Sequence, residues 1–112
     1  MTVTSRVDVT PNDPTALKAQ VAEGPVSISI AAGEFAFHSY IRGVLDDEEG
    51  CGIETDHSVT IVGYGTTYDA TPMNYWIIKN SWGTDWGESG YVRVQDTGVD
   101  GPGICGVNTA PY

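Results

Sequence analysis

His57 stands in Asp56-His-Ser-Val59, at the head of an alternating run. An imidazole at a strand end can face a cleft, and its unperturbed pKa near ~6.5 suits proton transfer. Asn80 directly follows a second apolar run, in Lys79-Asn-Ser-Trp-Gly83. Its side-chain oxygen can accept from an imidazole N–H and fix the ring. Trp82 and Trp86, each followed by glycine, form a Trp-Gly-x-x-Trp-Gly pattern. Two indoles so close can shield a polar contact from water, or simply fill the core. Taken singly, His57 also reads as a structural histidine, and Asn80 as a turn residue.

Cys51 and Cys105 each precede a glycine. Three readings compete: a disulfide, two buried free thiols, or a nucleophile beside His57. Neither cysteine stands at the start of a recognisable helix, where the dipole would lower a thiol pKa. This favours the disulfide and an oxidising compartment. Such a bridge would contribute ~4 kcal/mol in the chain-entropy model. His38, His57 and the acids of residues 46–49 lack metal-ligand spacing, and no cofactor is expected. Neither a Gly-x-Ser-x-Gly elbow nor a phosphate-cradling glycine loop occurs.

The elements that must carry these residues follow from patterning. Asp13 can cap a helix with Pro14 in its first turn, ended by Gly24-Pro25. Leu17 and Val21, four apart, would share its buried face. Val26, Ile28 and Ile30 alternate with Ser27 and Ser29 as a strand. Residues 34–40 fit a short helix or turn, and Asp46–Glu49 reads as an acidic loop. Strands are predicted over His57–Tyr64, Tyr75–Lys79 and Gly90–Gln95, with a polar loop over residues 66–74. The class is α+β: an antiparallel, barrel-like sheet with a short N-terminal helix.

The 112 residues suit one domain, and 40% hydrophobic against 18% charged residues argues against disorder. Fifteen acids against five bases give a formal net charge of −10. That balance argues against nucleic-acid binding and against docking on anionic lipid. The N-terminus lacks the apolar region of a signal peptide, so none is expected in this chain.

The blocks Gly24-Pro-Val-Ser27, Asp56-His-Ser-Val59, Val62-Gly-Tyr-Gly65 and Tyr75-Trp-Ile-Ile-Lys-Asn-Ser-Trp-Gly83 come in order. Trp86-Gly-Glu-Ser-Gly-Tyr91 and Gly103-Ile-Cys-Gly106 follow them. From about residue 5 onward the chain resembles the C-terminal half of papain-like (cathepsin-type) cysteine peptidases. The resemblance implies the β-rich, right-hand domain of that fold. It implies that His57 is the catalytic histidine, Asn80 its orienting amide and Trp82 the indole over their contact. It assigns the Asp56 carbonyl to holding bound peptide. It places Val26, Ser58 and Ala110 in an apolar pocket for the second substrate residue before the cut. It matches Cys51 and Cys105 to a disulfide pair.

The family's nucleophile lies in a Cys-Gly-Ser/Ala-Cys-Trp/Tyr block about 130–150 residues before the histidine. This chain contains no such block, nor the upstream oxyanion-hole Gln. Thiolate and oxyanion hole are both needed for acyl transfer, so the chain alone is expected to be inactive. The expected partners are a Cys-bearing helical half and a peptide substrate or inhibitor, with no nucleic acid and no membrane. The uncovered inter-domain face could also support self-association. The alternative function is a non-catalytic binding or regulatory module, or a fragment without function of its own. Bridge and resemblance together imply an extracellular, lysosomal or other acidic vesicular setting.

Overall fold

Asp13 accepts a hydrogen bond from the Ala16 N–H at 3.1 Å, opening the helix α1, Pro14–Glu23. Proline fits the first turn because its missing N–H would have no helical partner there. The computed structural model describes residues 11–33, 35–46, 48–68 and 70–109. The Gly24 N–H closes the helix on the Val21 carbonyl, and Leu17 and Val21 are buried as their spacing predicts.

The remaining elements are β1 (Val26–Ile30), α2 (Phe35–His38), β2 (Val44–Leu45), α3 (Glu48–Cys51), β3 (His57–Thr66), β4 (Asn74–Lys79) and β5 (Tyr91–Gln95). A 3-10 turn follows at Ile104–Gly106. The strands form one sheet in the order β1-β3-β4-β5-β2. Every pairing is antiparallel except β2 with β5. The α+β class is as expected, but the sheet is mixed and open, with β1 and β2 at its edges rather than joined into a barrel. Two residues of β2 are too few to show alternation, so the parallel edge has no sequence signature. The acidic segment also differs from expectation. Its end forms the single turn α3, whose last residue is bridged to the 3-10 turn.

Alternation places Val26, Ile28 and Ile30 of β1 on the same face as Val59 and Ile61 of β3. Trp76 and Ile78 of β4 and Val92 and Val94 of β5 join them in the core. At Val62 the β3–β4 register shifts, because Ile61 faces Ile78 while Gly63 already faces Ile77. Such a bulge re-aims the strand beyond it. Val62 and Tyr64 are each 41% exposed there.

Cys51 and Cys105 form a disulfide with Cα atoms 5.0 Å apart. Both are fully buried. The bridge holds the 3-10 turn beside β1, where the Ala31 N–H donates to the Cys105 carbonyl at 2.8 Å. Neither thiol is free to act as a nucleophile.

Candidate active site

His57 is the first residue of β3 and Asn80 is the first residue after β4. Thr60 pairs with Lys79 across these neighbouring strands, which brings the start of one beside the end of the other. The His57 Nε2–H donates to Asn80 Oδ1 at 2.8 Å. The alternation that buries Val59 and Ile61 carries His57 to the rim of the core face, where it is half-buried.

Asn80 is 7% exposed. Its Oδ1 also accepts the Ser81 N–H at 2.8 Å, while the Asn80 N–H donates to the Gly90 carbonyl. Both donors select the oxygen, so the amide has one orientation. The buried Nδ2 has no hydrogen-bond partner among the described residues. The site therefore holds its accepting oxygen at the cost of an unsatisfied donor.

Trp82 stacks on the His57 ring, centroid to centroid 5.2 Å and tilted by 27°. Three further rings surround this indole. Phe37 meets it edge-on at 5.3 Å, His38 lies at 4.9 Å, and Trp86 crosses it at 5.3 Å. Phe37 is fully buried, and the Trp86 indole N–H donates to the His38 carbonyl at 3.2 Å. The short helix α2 is thereby fastened beneath the two indoles. Offset and edge-on rings are the favoured arrangements and supply specific geometry beyond area burial.

Behind Trp86 lies a polar clamp. Tyr40 packs on Trp86 at 5.5 Å, and its hydroxyl donates to the Gly43 carbonyl at 2.6 Å. Arg93 grips Glu88 with two N–H donors, at 2.8 and 2.9 Å, and Glu88 also accepts the Gly43 N–H. These donors hold the Glu88 carboxyl below the usual range, Arg93 first among them. The same pairing raises the Arg93 guanidinium. Burial pushes the Tyr40 phenol up to about 12. Gly87, at φ +59°, has no room for a side chain, since a Cβ would sit 2.6 Å from the Tyr91 carbonyl.

Asp56 points its carboxylate backward. Oδ1 accepts the Ala32 N–H at 2.8 Å, and the Asp56 N–H donates to the Ile30 carbonyl. The residue before His57 is thus tied to the end of β1. A Cβ at Gly33 would meet Asp56 Oδ2 at 2.8 Å and push that carboxylate aside.

The structure divides the three residues expected in a substrate pocket. Ser58 is exposed on β3. Val26 is 5% exposed, opposite Ile61, and lies on the other face of the sheet from Ser58. The residue of β1 opposite Ser58 is Ser29. Ala110 lies outside the described residues. Ser29, Phe37 and His38 are the residues near the site that sequence reading missed. Ser29 was visible only as the outward residue of an alternating strand, and Phe37 and His38 only as part of the aromatic content of residues 34–40, which does not reveal its distant partners.

The model of the papain family of cysteine proteases matches residues 1–112. Cysteine endopeptidase Rep1 of Oryza sativa subsp. japonica is 50% identical over 101 residues, covering 89% of this chain and 26% of its own length. Thiol protease SEN102 of Hemerocallis sp. is 50% identical over 100 residues, 89% of this chain and 27% of the relative. The bromelain protease of Ananas comosus, solved with the E64 inhibitor, superposes with a TM-score of 0.82 at 35% identity. It matches over 92% of this chain and 46% of its own. The proform of the ragweed pollen cysteine protease Amb a 11 gives a TM-score of 0.88 at 35% identity, over 99% of this chain and 29% of that one. The chain spans about a quarter of the length of the curated relatives it matches. With the match running from its first residue to its last, the chain belongs to the papain family of cysteine proteases.

Proposed function

We propose that this chain supplies the histidine half of a papain-family cysteine endopeptidase. The observation that carries this reading is the His57–Asn80 hydrogen bond at 2.8 Å beneath the Trp82 ring. With Nε2 tied to Asn80, Nδ1 is the ring nitrogen left to exchange protons with a reacting group. Both cysteines here are bonded to each other, so the thiol comes from outside these residues.

In the proposed cycle the external thiol gives its proton to His57, forming a thiolate and an imidazolium. The thiolate attacks the peptide carbonyl carbon. The imidazolium proton passes to the amine as the C–N bond breaks, leaving a thioester. His57 then takes a proton from water as that water attacks the thioester, and the thiol is regenerated. Asn80 keeps the imidazole aimed through these steps, and Trp82 shields their bond from water. The Asp56 carbonyl would hold the bound peptide.

The adjoining pocket would be walled by Ser58, with its register neighbour Ser29 beside it and Ala110 contributing from the C-terminal segment. Val26 would support that wall from the opposite face. Small residues there favour a bulky apolar side chain two before the cut. Bromelain was solved with an inhibitor bound, and a peptide or inhibitor is the ligand proposed here. A buried disulfide supports an oxidising compartment.

The test is reconstitution with a Cys-bearing helical half from a relative. The mixture should cleave a fluorogenic peptide with a bulky apolar residue two before the cut, and this chain alone should not. A stable but inert complex would overturn the catalytic reading in favour of a binding module.

A further inference from the structure

Nothing in the proposed cycle uses Glu88 and Arg93, yet both are tied to the rings that cover it. Their side chains are 29% and 31% exposed, and an ion pair so open to water contributes modestly to stability. What it supplies is geometry. Glu88 Oε1 accepts the Arg93 Nε–H at 2.8 Å, and Oε2 accepts an Nη2–H at 2.9 Å. Two parallel bonds fix the plane of the carboxylate as well as its distance. Oε2 also accepts the Gly43 N–H at 3.2 Å. Glu88 thereby joins its own turn to β5, through Arg93, and to the chain between α2 and β2, through Gly43.

That turn is the one that carries Trp86. Glu88 and Tyr91 exchange both backbone hydrogen bonds, at 2.9 and 3.1 Å, and the Gly90 N–H donates to the Trp86 carbonyl at 2.8 Å. Ser89 takes φ +55°, a left-handed conformation that a residue with a side chain keeps where its surroundings impose it. The Tyr40 hydroxyl accepts the Arg93 backbone N–H at 3.3 Å, and the Tyr40 ring packs on Trp86. Trp86 is therefore seated by this grip as well as by Phe37.

Trp82 depends on that seat. Residues 81–85 are all exposed, so the loop that carries Trp82 buries no anchor of its own. Its indole is placed by rings, with Phe37 and Trp86 each meeting it edge-on at 5.3 Å. Phe37 is fixed in the core, and Trp86 is fixed in part through Glu88. A shift of Trp86 changes the pose of Trp82, and Trp82 lies on the His57 ring.

We infer that Glu88 is a positioning residue for the proposed cycle: gripped by Arg93, it seats Trp86 and thereby sets the pose of Trp82 over the His57–Asn80 bond. This rests on the reading of His57 given above. No contact with substrate is required of Glu88. Its loss changes how well the imidazole is aimed, not what the enzyme binds.

The experiment compares this chain with Glu88→Gln, which keeps the shape of the side chain and removes its charge. The ring current of Trp82 shifts the carbon-bound His57 ring protons, so their NMR positions report its pose. In Glu88→Gln these signals should move toward their positions in Trp82→Ala. Exchange of the His57 Nε2 proton with solvent should quicken about three- to tenfold. Protection of the buried Ile61 and Val92 amides reports global opening and should change less. Added to Trp82→Ala, Glu88→Gln should leave the His57 ring signals where Trp82→Ala alone puts them, because the route runs through that indole. Arg93→Lys, which keeps the charge and loses the fork, should shift them in the same direction as Glu88→Gln. Unmoved His57 signals in Glu88→Gln, an equal further shift in the Trp82→Ala background, or core amides that quicken as much as the His57 proton would overturn the inference. In the reconstituted enzyme Glu88→Gln should lower kcat about three- to tenfold with KM little changed. An unchanged kcat in an active mixture would also overturn it. A mixture that stays inert while the NMR shifts appear refutes the catalytic reading of His57 and leaves the positioning of its ring by Glu88 standing.

Discussion

Asn80 Oδ1 sits 2.8 Å from His57 Nε2 and holds the ring from a buried position that the Ser81 N–H also fixes. Replacing Asn80 by Ala removes an acceptor shared by two donors. In a reconstituted enzyme the loosened ring should lower kcat about 10- to 100-fold, with KM little changed. Ser81 is exposed, so water can take over its N–H, and the lost hydrogen bonding should cost about 0.5–1.5 kcal/mol of stability, read by denaturant unfolding of this chain. An unchanged kcat would show that the hydrogen bond does not aim the ring for catalysis.

Trp82 covers that hydrogen bond while remaining 36% exposed. Trp82→Ala should open the bond to water and speed exchange of the His57 Nε2 proton with solvent. The signal should be sharp in the unsubstituted chain and broadened or lost in the variant. An equally protected proton in Trp82→Ala would mean that the indole shields nothing.

The Cys51–Cys105 bridge makes a third measurement available. Titration of the native chain should find no reactive thiol, and unfolding under reducing conditions should require less denaturant. With the cysteines 54 positions apart, the loss should be ~4 kcal/mol in the chain-entropy account. Two thiols that react without reduction would contradict the bridge.

The clamp behind Trp86 sets two pH limits. Arg93 depresses the Glu88 carboxyl in the folded chain, so the unfolded chain binds more protons as the solution turns acid. The stability from this pair is therefore full above the ordinary value of 4.5 and is lost as pH falls through the folded one. Tyr40 behaves in the opposite sense. Its folded phenol keeps its proton up to about 12 against an ordinary 10.0, so its contribution is full below 10.0 and disappears between the two. Melting temperatures across pH should show both slopes. Glu88→Gln should flatten the acid one, and Tyr40→Phe the alkaline one. A Glu88→Gln profile that parallels the unsubstituted chain below 4.5 would refute the first assignment.

What the sequence made legible was local. Asp13 and Pro14 announce α1, and alternation announces β1, β3, β4 and β5. The residues of the His57–Asn80–Trp82 group lie in blocks specific enough to be recognised at once. Register and distant contact were not legible. Val26 and Ser29 sit in the same alternating strand, and only its pairing with β3 shows that Ser29, not Val26, faces the same way as Ser58. Phe37 and His38 meet Trp82 through the fold rather than along the chain, so no spacing rule could join them. The two residues of β2 became a strand only because β5 was there to receive them.

The open sheet leaves two borders where a foreign strand could add itself, and each is handled differently. At one border β2 offers only two residues, too short a ladder to template another chain. At the other, the turn anchored by Cys105 takes the Ala31 N–H just past the end of β1. By anchoring that turn, the disulfide helps close the end of β1 to a foreign strand as well as stapling the fold. Reduction would bare that end of β1, so insoluble, strand-paired assemblies should be the characteristic failure of the reduced chain, appearing before the core comes apart.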